Sequence, residues 1–254
     1  MTATSLRLAV LAGMETTAGD AVARLEGYFA EAADAHVDLL VAPQRLLGES
    51  PLLSDAPSLR AIAASAGRHG VAVVCGYLEH CTGRTHEAVQ AMDGNGRALA
   101  NYRQTHLGPG EIERGVSPGQ WLTQVRIGTV GVGLLLGEDV LAPEPARALA
   151  LAGMAILTLP ANLGSESAAL MPSLLRARAF ENGCAIVFAN RADHPASMII
   201  GPDGDVLAEA LRGLAVAEVP TSRPAEASRR LAARRPLLYQ RLASSHPPDE
   251  ALRL

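Results

Sequence analysis

Residues 130–159 read VGVGLLLGEDVLAPEPARALALAGMAILTL, and this stretch decides the fold. Residues 130–136 and 155–159 are short apolar runs, which are typical of buried strands. Between them, residues 144–151 have the length and composition of a helix that stops before Gly153. A strand, a helix and a second strand in this order are typical of a sheet covered by helices.

The alternation of strands and helices continues on both sides of this stretch. Strands are predicted at residues 6–11, 37–42, 71–77, 88–92, 97–102, 124–127, 185–189, 197–200 and 205–209. Helices are predicted at residues 20–35, 58–69 and 170–182. Hairpin turns are predicted at Asp93-Gly94-Asn95-Gly96 and Pro202-Asp203-Gly204. Because the two halves nearly repeat each other, we expect an α/β fold with two mixed sheets packed face to face and covered by helices.

The domain organisation follows from length and composition. The chain has 254 residues, 48% of them hydrophobic and 19% charged, which is a globular composition. No linker rich in Ser and Gly divides the two halves, so one domain is expected over residues 1–220. Residues 221–254 are rich in Arg and Pro, and we expect this tail to pack on the domain or on a partner.

Composition also excludes several classes of function. A single-stranded nucleic-acid binder needs a basic groove and aromatic platforms, whereas this chain has a net charge of −4 and 3% aromatic residues. All 22 basic residues are Arg, so a mechanism that needs a lysine ammonium group is excluded. No apolar run is long enough to span a membrane, and the N-terminus lacks a signal-peptide pattern.

The three cysteines are odd in number and lack the spacing of a metal site. We therefore expect reduced thiols in a cytoplasmic protein, with no metal and no cofactor. Cys75 and Cys184 lie in or beside predicted strands and are expected to be buried and unreactive. Cys81 is expected in a loop, where no motif residue adjoins it.

In three segments a buried strand runs directly into a polar loop. They are DLLVAPQ at residues 38–44, NYRQTHL at 101–107 and GVGLLLGED at 131–139. Ligands of α/β proteins bind at such strand ends. We therefore expect Gln44, Gln104 and Gly137 to lie close together at one small-molecule site.

These segments resemble motifs of the nitrilase, or carbon–nitrogen hydrolase, superfamily. LLRARAFENGCAIVFANR at residues 174–191, PDGDVLAEA at 202–210 and RRPLLY at 234–239 extend the resemblance over nearly the whole chain, in the family's order. The resemblance implies a four-layer αββα sandwich. It also implies a homodimer or higher oligomer formed through helix faces and the tail, with a small molecule as ligand.

The family hydrolyses amides and nitriles with a Glu–Lys–Cys triad. Cysteine attacks as the thiolate, glutamate moves the proton, and lysine stabilises the oxyanion. At the matching positions this sequence has Gln44, Gln104 and Gly137. An amide is no base near neutral pH and glycine has no side chain, so hydrolysis by this triad is not expected.

The resemblance implies further pocket residues. Glu111 matches an additional pocket glutamate, and Glu138 follows Gly137 with a side chain that points into the pocket or outward. We expect these two carboxyls to carry any acid–base chemistry. His106 and Asn162 are candidate substrate-binding residues.

Other polar residues near these motifs have structural or remote roles. Asp139 is expected to brace the loop. An ion-pair brace is expected among Arg176, Arg178 and Glu181. A serine nucleophile at Ser165 or Ser167 would need an adjacent base, which the sequence does not indicate.

Three functions remain open. The first is a protein without hydrolytic activity that binds a small amide- or carboxylate-like molecule or supports an active partner. The second is a repurposed enzyme of a bacterial biosynthetic pathway, with Glu111 and Glu138 as acid and base. The third is a true amide or nitrile hydrolase, which would form a covalent adduct on a cysteine.

Overall fold

The computed structural model describes residues 5–14, 18–164 and 168–243. Its strands are β1 (Ser5–Ala12), β2 (Leu39–Val41), β3 (Ala72–Cys81), β4 (Arg84–Met92), β5 (Ala98–Arg103), β6 (Thr123–Ile127), β7 (Val130–Leu134), β8 (Ile156–Ala161), β9 (Ala185–Asn190), β10 (Ser197–Ile200), β11 (Val206–Ala210) and β12 (Gly213–Pro220). Its α-helices are α1 (Ala18–Asp34), α2 (Pro57–His69), α3 (Pro109–Glu113), α4 (Pro143–Leu151), α5 (Met171–Asn182) and α6 (Ala225–Ala232). Short 3₁₀ helices cover Gly137–Leu141 and Pro236–Ala243.

The described strands form two six-stranded mixed sheets, which confirms the predicted fold class. The first sheet has the order β12-β1-β2-β3-β4-β5, and the second has the order β11-β10-β9-β8-β7-β6. In each sheet three central strands run parallel, β1-β2-β3 and β7-β8-β9, and their neighbours are antiparallel. The two halves therefore have the near-repetition that the sequence predicts.

The buried core occupies both faces of the sheets, because successive side chains of a strand point to opposite faces. In β1, Leu8 and Val10 belong to a cluster that fills the space between the two sheets, with side chains of β7, β8 and β9, and that continues to α4 and α5. Ala9 and Leu11 belong instead to the cluster between the first sheet and its helices, with Leu25 of α1 and other helical side chains. This arrangement places helices outside both sheets and the sheets inside.

Several elements differ from the sequence-based prediction. Strand β12 and helices α3 and α6 were not predicted from the sequence. Strand β2 is shorter than the run at 37–42, and β3 continues four residues beyond Tyr77, to Cys81. The extension carries Glu79, whose ion pair with Arg103 of β5 lets a charged residue lie inside the sheet.

The described part of the tail packs on the body. Arg223 donates to the carbonyls of Ala150 (2.7 Å) and Met154 (3.0 Å). Arg230 donates to the Phe180 carbonyl (2.8 Å), and its guanidinium lies 4.2 Å from the centre of the Phe180 ring. No helix in the described ranges is long and apolar enough to cross a membrane.

Candidate functional site

Gln44, Gln104 and Gly137 meet although they come from three separate segments. Gln44 follows β2, Gln104 follows β5, and Gly137 follows β7. A β-carbon built on Gly137 would lie 3.1 Å from the Oε1 atoms of both Gln44 and Gln104 and 3.2 Å from the Nε2 atom of Gln104. The side chains of the two glutamines therefore border the space that a side chain at position 137 would occupy. We call these three residues the glutamine site.

The amide of Gln104 is fixed and partly unsatisfied. Gln104 is 1% exposed, and its Nε2 donates to the His106 carbonyl at 2.7 Å. Because a carbonyl only accepts, this bond sets the orientation of the amide. Its Oε1 is buried and accepts no hydrogen bond from the described residues. A buried acceptor without a donor is costly, so this oxygen is a ready acceptor for a ligand N–H or O–H group.

Gln44 is held in place by the backbone around it. Gln44 is 3% exposed and lies against Gly76 of β3, where an added β-carbon would be 2.6 Å from the Gln44 Cα atom. The Gly76 amide donates to the Pro43 carbonyl (3.2 Å), and the Leu46 amide donates to the Gly76 carbonyl (2.9 Å). Glycine at position 76 therefore allows the loop after β2 to reach the site.

A chain of alternating charges runs beside the glutamine site and was missed by the sequence analysis. Arg45 donates through Nε (2.7 Å) and Nη2 to Oε1 of the fully buried Glu87. Arg45 also pairs with Glu49 (2.6 Å), and Glu49 pairs with Arg191 (2.6 Å). The Glu87 carbonyl accepts the amide of Gln104 at 2.9 Å, so the network touches the site through the backbone.

Asp139 braces the loop that carries Gly137. Its buried carboxylate accepts from the amide of Leu136 (3.0 Å), the hydroxyl of Tyr102 (2.6 Å) and both the amide (3.0 Å) and hydroxyl (2.9 Å) of Thr105. It also accepts from the amide (2.8 Å) and Nδ1 (3.2 Å) of His106. These bonds tie the segment after β5 to the segment after β7, in the structural role that the sequence analysis expects.

Glu138 and Glu111 approach the same residue, Gly108. Glu111 accepts the Gly108 amide at 2.9 Å, as the capping glutamate of α3, and its Oε1 lies 3.5 Å from the guanidinium of Arg114. The carboxylate of Glu138 packs against the Gly108 Cα, where a β-carbon would collide with it. Burial, and after it the charge of Glu111, raise the pKa of Glu138. Burial therefore favours the neutral form of Glu138 relative to that of an exposed carboxyl.

His106 and Asn162 are more exposed than the residues of the glutamine site. About half of the His106 side chain is exposed, and its hydrogen bond with Asp139 raises its pKa. Asn162 is exposed just after β8. Ser165 and Ser167 lie outside the described residues. Arg178 pairs with Glu181 (3.1 Å) as expected, whereas Arg176 donates to the Gly204 carbonyl (2.8 Å).

The buried thiols are poor nucleophiles. Cys75 and Cys184 are fully buried, and burial raises the pKa of each to about 12. A thiolate is the nucleophilic form, so neither residue is activated near neutral pH. Cys81 is partly exposed. Among the described residues, no group of three or more His, Cys, Asp or Glu side chains could hold a metal ion.

The chemistry available at the glutamine site is hydrogen bonding between neutral groups. Each primary amide can donate and accept, but neither can act as a base near neutral pH. Gly137 has a φ of 53°, in the left-handed region that favours glycine, and it offers no side chain for attack. Beside the site, burial and then the charge of Glu111 raise the pKa of Glu138, which favours proton donation by this carboxyl.

Comparisons with known proteins consistently match this chain to carbon–nitrogen hydrolases and amidases. The sequence model described as carbon-nitrogen hydrolase matches residues 8–226. The chain is 35% identical over 205 residues to the hydrolase in the pqqF 5′ region of Pseudomonas protegens, covering 73% of this chain and 71% of that protein. It is 33% identical over 192 residues to an (R)-stereoselective amidase of Pseudomonas sp., covering 69% of each chain.

Solved structures show the same fold. A double mutant of the amidase from Nesterenkonia sp., in complex with acrylamide, superposes with a TM-score of 0.82 at 24% identity, covering 95% of this chain and 98% of that one. A carbon-nitrogen hydrolase from Helicobacter pylori superposes with a TM-score of 0.84 at 21% identity, covering 94% and 98%. These two likenesses establish the αββα arrangement.

Proposed function

The chain belongs to the carbon–nitrogen hydrolase family, and we propose that within this family it binds a small amide- or carboxylate-like molecule without hydrolysing it. The observation that carries the proposal is the convergence of two neutral amides on a residue without a side chain, at the glutamine site. By resemblance to the family, Gln44, Gln104 and Gly137 match the positions of the base, of the cation that stabilises the oxyanion, and of the nucleophile.

The absence of hydrolysis has three supports. The sequence contains no lysine, so no shift of the alignment can supply one. Gln44 cannot remove a proton from a nucleophile, and Gly137 is not a nucleophile. Removing the nucleophile alone costs on the order of 10⁶-fold in rate in a well-studied serine protease. The buried thiols of Cys75 and Cys184 do not replace it, because they are protonated near neutral pH.

Binding is supported by the hydrogen-bonding capacity of the site. The unpaired Oε1 of Gln104 accepts a donor, and amide groups pair well with amides and with neutral carboxylic acids. The Nesterenkonia amidase double mutant replaces a glutamate by glutamine and a cysteine by alanine, and it is in complex with acrylamide. A protein of this fold therefore binds a small amide after those two kinds of replacement. In this chain both glutamines are buried, so the side chain of Gln44 must turn aside to admit the ligand, while Gln104 keeps its bond to the His106 carbonyl and offers its Oε1.

Thermal unfolding with increasing acetamide, acrylamide or acetate tests the binding. A ligand at 100 times its Kd adds about 2.7 kcal/mol of stability, so the Tm should rise with the logarithm of ligand concentration above the Kd. Gln104→Met should abolish this rise, and Gln240→Met, a replacement of an exposed glutamine, should leave it intact. The glutamine site is not the binding site if none of the three compounds raises the Tm of the unmodified chain. The same conclusion follows if the compounds raise the Tm of both variants equally.

A second candidate function rests on the raised pKa of Glu138. A repurposed enzyme of a bacterial biosynthetic pathway would use Glu138 as proton donor and Glu111 as its acidic neighbour. Such a protein would show turnover that Glu138→Gln and Glu111→Gln abolish. Ligand stabilisation without turnover supports the binding function instead.

The proposal includes assembly and location. We expect a cytoplasmic homodimer, or a higher oligomer, formed through α4, α5 and the tail, which can also support an active partner. Large apolar side chains on this face are exposed in the single chain: Phe180, Leu237, Leu238 and Tyr239. Light scattering after size-exclusion chromatography tests this. A monomer at all concentrations contradicts the assembly, whereas Leu238→Asp should dissociate a true dimer.

A further inference from the structure

A large polar cavity lies on the helix-facing side of the first sheet, away from the glutamine site. In β3 and β4, the residues of the same parity as Tyr77 and Ala88 face the helices, and Glu79, Arg84 and His86 share that parity. These residues, with Asn101 and Arg103 of β5, border a cavity of about 720 Å³. Residues 118–121 and Thr123 form its wall, and none of the glutamine-site residues lines it. We call it the tryptophan cavity, after Trp121.

The tryptophan cavity has one uncompensated positive charge. Arg103 makes two hydrogen bonds to the buried carboxylate of Glu79, at 2.6 and 3.0 Å, so these two charges neutralise each other. Arg84 is exposed, and it makes no ion pair within the described ranges of the chain. A guanidinium without a partner at the edge of a cavity favours an anion and matches the geometry of a carboxylate.

The other polar groups of the cavity add a donor and fix a histidine. The Oδ1 atom of Asn101 accepts the hydroxyl of Tyr77 at 2.9 Å, which leaves the NH₂ group of Asn101 to donate. Nδ1 of the buried His86 lies 2.7 Å from the Ser117 carbonyl, so Nδ1 carries the proton in this bond. The side chains that line the floor are thus held in place before any ligand arrives.

Trp121 supplies the apolar surface of the cavity. Its side chain is 79% exposed, although large aromatic side chains are usually covered. A flat ring of a ligand can stack on the indole while its charged group reaches Arg84. The volume lies within the range of about 300–1,000 Å³ that is typical of small-molecule sites.

We propose that the tryptophan cavity binds a small aromatic carboxylate. The ring lies on Trp121, and the carboxylate accepts hydrogen bonds from the guanidinium of Arg84. This site is separate from the glutamine site and does not depend on the function proposed for it.

The chain offers a direct reporter of this binding, because Trp121 is its only tryptophan. Benzoate should change the tryptophan fluorescence of the full chain in a saturable way. Benzamide has the ring without the charge, and cyclohexanecarboxylate has the charge without the aromatic ring. Each should bind about tenfold more weakly, or worse, because each loses one of the two contacts. Equal affinity of benzamide and benzoate would overturn the proposal, and so would a fluorescence that benzoate does not change.

Single substitutions locate the residues that bind benzoate. Arg84→Gln should weaken benzoate binding about tenfold, whereas Arg24→Gln, on the exposed face of α1, should not change it. Ligand-observed NMR measures benzoate binding to the Trp121→Phe and Trp121→Ala variants. Only Trp121→Ala should lose binding. Binding that survives Arg84→Gln but is lost in Gln104→Met would assign benzoate to the glutamine site and overturn this proposal. A tryptophan emission that changes with protein concentration alone would show a second copy covering Trp121, which also overturns it.

Discussion

Replacing Gly137 by alanine tests whether the glutamine site is as closely packed as the structure indicates. Gly137 has a φ of 53°, and an L-residue in this left-handed region costs about 1–2 kcal/mol. The new methyl group would also lie 3.1–3.2 Å from atoms of Gln44 and Gln104, and Gln104 cannot turn without losing its bond to the His106 carbonyl. Such overpacking costs typically about 1–3 kcal/mol. The free energy of unfolding should therefore fall by about 2–5 kcal/mol.

Gly128 provides the matched control. Its φ is 57°, and a β-carbon built there meets nothing within 4 Å. Gly128→Ala therefore measures the conformational cost alone, which we expect to be about 1–2 kcal/mol. Urea unfolding of both variants gives the difference, provided that the slopes with urea agree. If Gly137→Ala destabilises the chain no more than Gly128→Ala does, the two glutamines do not close on Gly137 and the geometric argument fails.

Three further predictions concern the carboxylates and the histidine around the site. Asp139→Ala removes the acceptor of six hydrogen-bond contacts and should cost about 3–5 kcal/mol in urea unfolding, against less than about 0.5 kcal/mol for the exposed Asp55→Ala; a cost below about 1 kcal/mol would contradict the bracing role. The raised pKa of Glu138 means that stability falls as pH rises from 4.5 through that pKa. Glu138→Gln should therefore raise the Tm near neutral pH and leave it unchanged below about pH 4. Equal Tm shifts at both pH values would reject Glu138 as the source of this pH dependence. The raised pKa of His106 means that its stabilising interaction is complete below pH 6.5 and is lost as pH rises through the raised pKa. His106→Gln should therefore reduce the fall in Tm above pH 6.5. An unchanged fall would exclude His106 as the source of that pH dependence.

The sequence predicted most of the central strands, because each is a short apolar run that is buried on both faces. It missed β12, whose residues are mostly half-exposed and whose partner, β1, lies at the other end of the chain. The pairing of Ser5 with Pro220 spans nearly the whole domain, and no local pattern records such a contact.

The candidate site was predicted unevenly for a similar reason. The meeting of Gln44, Gln104 and Gly137 follows from motif order, since each residue ends a recognisable strand. The pairing of Arg45 with Glu87 joins two residues 42 positions apart, and neither lies in a motif that marks a charge pair. By contrast, the role of Glu111 could have been found, because Gly108-Pro109-Gly110-Glu111 has the spacing of a helix cap with an acceptor at the third position.

Release of ammonia by the unmodified protein tests the central claim most directly. The chain is incubated with acetamide, acrylamide, benzamide and acetonitrile, and an active amidase of the family is assayed in parallel as the positive control. Because the glutamine site has neither nucleophile nor base, ammonia release should stay at the rate of the buffer alone, even at concentrations that stabilise the fold. Release above that rate would contradict the account. Release that Gln44→Met abolishes would show hydrolysis at the glutamine site, and release that is lost when Cys75, Cys81 and Cys184 are each replaced by serine would show that a cysteine is the nucleophile.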